Sequence, residues 1–288
     1  MSTFVLMTIT GLGLAALYFL VASGLSLIFG LMHVLNFAHA AFLTLGGYTA
    51  WLIADTTGNL LFGMVVGVVV AAALGALTES TLLRRLHGDH VPQVLLTVGL
   101  LLAFTALVRA VFGSDARPMP VPRWMTEVTP VAGALVPNSR FVLIGAAVAV
   151  YLALALFLTR TRYGLIVRAG VENRAMVTAL GIDVRRAFTL VFALGAGVAA
   201  LAGSLVALLQ NVVSPEQGMN LLIFAFIVVI IGGLGSFHGS ALAALLVGLV
   251  QQYTNFYALV GMGDLVVVLL LAGILLTRPQ GLLGRRFA

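Results

Sequence analysis

Few residues in this sequence could do chemistry, and they are scattered. The insertion Asn36-Phe37-Ala38-His39 breaks two long apolar runs, with Gly30 before it and Gly46-Gly47-Tyr48 after it. A lone imidazole with no carboxylate near it in sequence is a packed hydrogen-bonding group more often than a proton relay or ligand. The segment His87-Gly88-Asp89-His90 combines imidazole and carboxylate, which are common metal ligands. No third or fourth ligand follows at a regular spacing, so this segment reads as a solvated turn. Gly232-Gly233-Leu234-Gly235-Ser236 superficially resembles a dinucleotide loop, but the βαβ context and the acid about 20 residues downstream are both missing. A phosphate-binding Walker A loop needs a lysine, and all fifteen basic residues are Arg. There is no Cys, which removes disulfides, thiol catalysis and thiolate metal sites. Without HExxH, GxSxG or paired carboxylates, no catalytic set, metal site or cofactor is expected, and an ATPase would have to be a separate chain.

The elements that carry these groups follow from composition. Of 288 residues, 61% are hydrophobic and 8% charged, against roughly 45–50% and about 25% in a soluble domain. Such an excess of apolar side chain belongs in lipid. The sequence therefore predicts an all-α polytopic membrane protein, a single transmembrane domain over 1–288. The first residues lack a basic n-region and cleavage site, so the first apolar run is expected to be retained. Apolar runs near the ~20 residues a span requires are Thr8–Met32, Ala38–Ala54, Leu60–Leu83, Pro92–Phe112, Phe141–Thr159 and Ala187–Leu209. Residues 221–260 contain no Asp, Glu or Arg, which allows two further crossings. Gly232, Gly233, Gly235 and Gly239 supply the break between them, where backbones can approach closely. The last run, Leu265–Thr277, is short and must recruit Gly261–Gly263, sit in a thinned site or be re-entrant. The expected total is nine crossings, or eight.

Arginine gives the expected orientation, because cytoplasmic loops retain basic residues. Two Arg lie between 84 and 91, six in the loop 160–186 and three after Thr277. Nine crossings put these on one side, with the N-terminus outside, the C-terminus inside and the long loop 113–140 external. The Asn36–His39 break has two readings: a discontinuous helix lining a pathway, or a short cytoplasmic turn. The pair Phe37-Ala38-His39-Ala40-Ala41 and Phe237-His238-Gly239-Ser240-Ala241 is a weak internal echo. Within 160–186, Glu172, Ala175, Ala179 and Gly181 fit a short helix from about Val171 to Leu180, with Gly181 at its stop. A small helix protruding between two spans has the form of a docking element.

Taken in order, Val34-Leu35-Asn36-Phe37-Ala38-His39, then Arg168-Ala169 with Glu172-Asn173 and Leu180-Gly181-Ile182, then Gly232-Gly233-Leu234-Gly235-Ser236 with Gly239, and finally Arg278-Pro279-Gln280-Gly281-Leu282 resemble one family. It is that of the branched-chain amino acid ABC transporter permeases, and the likeness is to the shorter, LivH-like subunit over nearly the whole chain. Ala40 departs from the pattern, standing where the family usually has Gly. The resemblance implies a type II-like ABC importer permease pairing with a LivM-like second permease. It also implies two cytoplasmic ATPase subunits, a periplasmic or lipid-anchored substrate-binding protein and a place in the bacterial inner membrane. It implies that Val171–Leu180 is the coupling helix, with Glu172, Asn173, Ala175, Ala179 and Gly181 as its coupling residues. Asn36, His39, Thr44 and Ser236 are the expected pathway-lining groups in an alternating-access cycle. The cargo that the resemblance implies is a branched-chain or related amino acid, with urea or short amides as an alternative within the family. An ion-coupled secondary transporter or channel is the rival of a different class. It would need embedded titratable groups, whereas Glu79 and Arg109 lie near span ends and Asp264 precedes the last run.

Overall fold

The computed structural model of the chain describes residues 2–32, 35–86 and 89–284, apart from the side chains of 172–175. Ten long helices dominate: α1 (Ser2–Met32), α2 (Ala38–Thr57), α3 (Leu60–Thr81), α4 (His90–Phe112), α6 (Asn138–Arg160), α7 (Arg162–Ala179), α8 (Val184–Gln210), α9 (Gln217–Gly232), α10 (Phe237–Tyr257) and α11 (Met262–Thr277). A 3-10 turn, Leu83–Leu86, follows α3, and a one-turn helix α5 (Arg123–Thr126) lies in the long loop. That loop departs from the all-α expectation. Strands β2 (Val128–Val131) and β3 (Ala134–Pro137) form an antiparallel hairpin, and β1 (Arg117–Pro118) pairs with β4 (Val212–Val213) after α8. The prolines that spoil helix at 118, 130 and 137 are compatible with such short edge pairings.

Among the described residues, five helices are long and apolar enough to cross a membrane: α1, α3 with its 3-10 turn, α4, α6 and α8. The helices α9 and α10, whose axes turn by 116° at the glycine break, are apolar enough to cross only when taken together. The sequence-based total of eight or nine differs from this because it also counted α2 and α11 and took α9 and α10 as separate crossings. Twelve of the twenty α2 residues are buried, and a helix shielded from lipid need not be apolar all round. At 16 residues, α11 is about 24 Å long. It begins at Met262 with Gly261 in left-handed conformation at its N-cap, so the last run does recruit the Gly261–Gly263 region.

The interior is built from α1, α2 and α8, and the outer helices contact it along narrow stripes. On α3 the buried residues are Gly63, Gly67, Ala71, Gly75 and Glu79. The first four make a strict four-residue repeat of small side chains that lets α2 and α8 come close, the packing that works between helices in lipid, where apolar surface alone drives nothing. A methyl group at Gly46 would fall on the Ala200 carbonyl, and one at Gly203 on the Leu43 carbonyl. Backbones of α2 and α8 therefore touch directly.

Contacts define two ends. At one, Thr8 hydrogen-bonds Tyr253 at 2.8 Å and Arg109 Nε donates to Glu216 at 3.0 Å. The β1–β4 pair lies at that end as well. At the other, Gly30 packs on Gly235, Gly170 on Leu31, and residues 280–284 on Gly233.

Candidate coupling and pathway sites

The α1–α2 break positions two of the expected pathway groups, and both lie inside the chain. Asn36 is fully buried, and neither atom of its amide has a hydrogen-bond partner among the described residues. It does not cap α2, whose N-cap is Phe37. His39, the second residue of α2, is also fully buried. Its Nε2 lies 2.9 Å from the Val21 carbonyl. A carbonyl only accepts, so Nε2 carries the proton and Nδ1 keeps a lone pair without a partner among the described residues. The ring thus pins the first turn of α2 to the middle of α1, beside Gly24 and Gly195.

Thr44 and Ser236 act on helix starts. Thr44 Oγ1 accepts from the Gly218 amide at 3.1 Å, satisfying one of the orphan N–H groups in the first turn of α9 from a different helix. Nearby, Gln217 donates to the Gly203 carbonyl at 2.8 Å and Ser204 to the Gly46 carbonyl at 3.0 Å, so a polar web ties α2, α8 and α9. Ser236, half-buried, is the N-cap of α10 and accepts from Gly239 at 3.1 Å. Asn36, His39 and Thr44 are brought together on the α1–α2 side, whereas Ser236 belongs to the glycine break.

That break has the form expected from Gly232, Gly233, Gly235 and Gly239. A Cβ on Gly232 would meet the Gly239 backbone and the reverse, and Gly233 and Gly235 adopt φ of 99° and 80°. Only glycine takes such a turn without strain. The two echoing segments share a local setting: each lies at a helix start just after a break, with His39 and His238 both at the second helical position. They differ in surroundings. His238 is exposed, and its Nδ1 is 3.0 Å from Tyr151 Oη. This pair edges an otherwise apolar cleft of about 430 Å³ between α1, α6 and α10.

The predicted docking helix is longer than its sequence suggested. It begins at Arg162, not near Val171, because Thr161 caps it by accepting from Gly164 at 2.9 Å. Gly164 also lets the chain fold sharply against Phe157 and Leu158 at the end of α6. At the other end Gly181 (φ 75°) closes α7: its N–H bonds Thr178 O at 3.0 Å and that of Ile182 bonds Val177 O at 3.4 Å, a Schellman stop. Val167 and Val177 are buried against the bundle, while Ala179, Met176 and Leu180 face outward, the last two 62% and 70% exposed. Glu172, Asn173 and Ala175 lie on the α7 backbone, and their side chains fall outside the described residues. Of the turn His87-Gly88-Asp89-His90, the first two residues also fall outside them.

Two polar clusters escaped the sequence reading. Glu79, fully buried, accepts from Arg84 at 3.3 Å and from Thr189, while Arg84 also donates to Thr189 at 2.9 Å, locking α3 to α8. Tyr18 donates to Gln251 at 2.6 Å, and Gln251 donates to Asp264 at 2.5 Å, linking α1, α10 and α11. The partners are 105, 233 and 13 residues apart. The one local signal was Arg84 five residues after Glu79, across the end of α3.

The comparisons agree with this architecture. The chain is 28% identical to the LivH permease protein of the high-affinity branched-chain amino acid transport system of Escherichia coli K12, covering 96% of this chain and 94% of that one. It is 26% identical to the BraD permease protein of Pseudomonas aeruginosa with the same coverage. The LivM permease of Escherichia coli K12 is 28% identical over 94% of this chain and 68% of its own length. No solved structure matches. The family model described as "Branched-chain amino acid transport system / permease component" matches residues 7–276, and this multi-pass membrane chain belongs to that family.

Proposed function

We propose that the chain is the LivH-like transmembrane subunit of an ATP-driven importer and forms half of the pathway for a branched-chain or chemically related amino acid. It would pair with a LivM-like permease, take its energy from two separate cytoplasmic ATPases, and receive substrate from a binding protein outside the inner membrane. Its relatives belong to branched-chain amino acid transport systems, which supports the cargo, and its similarity to both LivH and LivM supports the pairing. The observation that carries the reading is α7, a capped helix between two long apolar helices that exposes Met176 and Leu180 at one end of the bundle. An apolar surface beyond the hydrocarbon is a contact surface for protein.

Charge supports the orientation. Among the described residues, nine of thirteen Arg but only four of nine acids fall at the α7 end, which supports a cytoplasmic placement of that end by the positive-inside rule. The N-terminus then lies outside, the C-terminus inside, and the β1–β3 region faces the binding protein. Within this reading Glu172, Asn173, Ala175 and Ala179 are the α7 positions that couple to the ATPase, and Gly181 ends the helix. Glu172→Arg is expected to abolish substrate-stimulated ATP hydrolysis in the assembled transporter while membrane insertion is unchanged. Normal stimulation would refute the assignment, and failure of the chain to co-purify with any P-loop ATPase would refute the importer.

Asn36, His39, Thr44 and Ser236 are the polar groups assigned to the pathway. Three of the four are buried between helices, so substrate meets them only as α1, α2, α8 and α9 part, a movement that closure of the ATPases on α7 would drive. Alanine at Asn36 or His39 is expected to lower uptake at least about fivefold at equal assembly, since one hydrogen bond in a desolvated site is worth on the order of 1–2 kcal/mol. Unchanged uptake for all four alanine variants would overturn the pathway assignment.

A further inference from the structure

The tail motif Arg278-Pro279-Gln280-Gly281-Leu282 has no part in the function proposed so far, yet it is seated on the glycine break. After α11 the chain turns, with Gly281 N–H bonding Arg278 O at 2.9 Å. Its next two amides leave the tail altogether: Leu282 N–H donates to Ile231 O at 2.7 Å and Leu283 N–H to Gly232 O at 3.1 Å. These acceptors are the last carbonyls of α9, which a helix cannot satisfy within itself. Ile231 and Gly232 are buried, where a carbonyl left bare is costly, so α9 is capped by a segment about fifty residues away.

The fit is backbone against backbone. A Cβ on Gly281 would press on Gly233 N, and a Cβ on Gly233 on the Gly284 backbone. Gly281 itself has φ 78°. On its other side the break touches α1, where Gly235 packs on Gly30, and the next residue of α1, Leu31, packs under Gly170 of α7. A continuous set of close contacts thus runs from α7 through the end of α1 to the break, and the tail closes the far side.

The geometry points to residues 278–284 as a clasp that holds the α9–α10 elbow in its 116° form and lets motion of α7 reach α10, a role that rests on α7 being the coupling helix. With the clasp shut, displacement of α7 moves the elbow as one body. With it open, the α9 end frays and the displacement is lost locally.

Leu283 gives a clean test, because its side chain is 47% exposed and its amide does the work. Leu283→Pro removes the donor, whereas Leu283→Ala keeps it. Hydrogen exchange of the purified full-length chain is expected to quicken at least about tenfold over residues 233–240 in Leu283→Pro and in Gly281→Ala. It is expected to stay unchanged there in Leu283→Ala, and unchanged in α1 and α8 in all three. Equal exchange in Leu283→Pro and the parent chain would overturn the clasp, as would equal acceleration in Leu283→Ala. In the assembled transporter, Leu283→Pro is expected to cut substrate imported per ATP at least about fivefold with the ATPases still bound. Faster exchange with uptake per ATP undiminished would overturn the coupling role. Absence of bound ATPase on the parent chain would instead overturn the importer reading and leave the exchange result as the measure of the clasp.

Discussion

Replacing Glu79 with Ala is expected to destabilise the folded chain by roughly 3 kcal/mol, near the lower end of what loss of one partner costs a buried ion pair. The carboxylate is fully buried, and it receives both the Arg84 guanidinium and the Thr189 hydroxyl. Its removal strands two donors where α3 meets α8. The Arg84 side chain is 37% exposed and can regain some hydration, which holds the loss below the full penalty. In thermal unfolding of the detergent-purified chain, the drop should be roughly 6–12 °C. Glu79→Gln, which still accepts from Thr189, should lose about half as much. If Glu79→Ala unfolds at the parent temperature, the cluster does not hold α3 to α8.

A larger side chain at Gly203 is expected to do comparable or greater harm. Its Cβ would coincide with the Leu43 carbonyl, which belongs to a helix backbone and cannot swing aside. Gly203→Val must push α2 away from α8, which also pulls the Ser204 hydroxyl from the Gly46 carbonyl. Overpacking of this kind costs about 3 kcal/mol or more. The expected readout is loss of the monodisperse folded species, or a similar fall in unfolding temperature. Gly99, Gly145 and Gly273 are the controls, since no atom lies within 4 Å of the Cβ that Ala would add there. Alanine at these helix-interior positions should be neutral or stabilising by up to ~1 kcal/mol. A Gly203→Val chain as stable as Gly99→Ala would contradict the direct α2–α8 contact.

The six single spans read from the sequence agree with α1, α2, α3, α4, α6 and α8, all to within three residues except at the start of α1, because a span must be apolar over about 20 residues and the break in apolarity marks its end. The glycine break was legible for a related reason: no other residue tolerates that φ and that backbone contact together. The start of α7 was not legible. Thr161 and Gly164 look like any loop residues until the end of α6 is placed beside them. The β2–β3 hairpin was hidden as well, since four-residue strands rich in Pro and Val carry no periodicity long enough to read.

Composition and order alone thus determined that this chain lies in a membrane, where its glycine break falls, and which family it joins. Each of these depends on solvent preference or on the local conformational limits of Gly and Pro, and both are written residue by residue. Tertiary structure alone decided that Asn36 and His39 are interior groups, that Glu79 pairs with Thr189 across the bundle, and that the tail caps α9. Those facts depend on backbones meeting across tens to hundreds of residues, at glycine contacts whose partners no local pattern names.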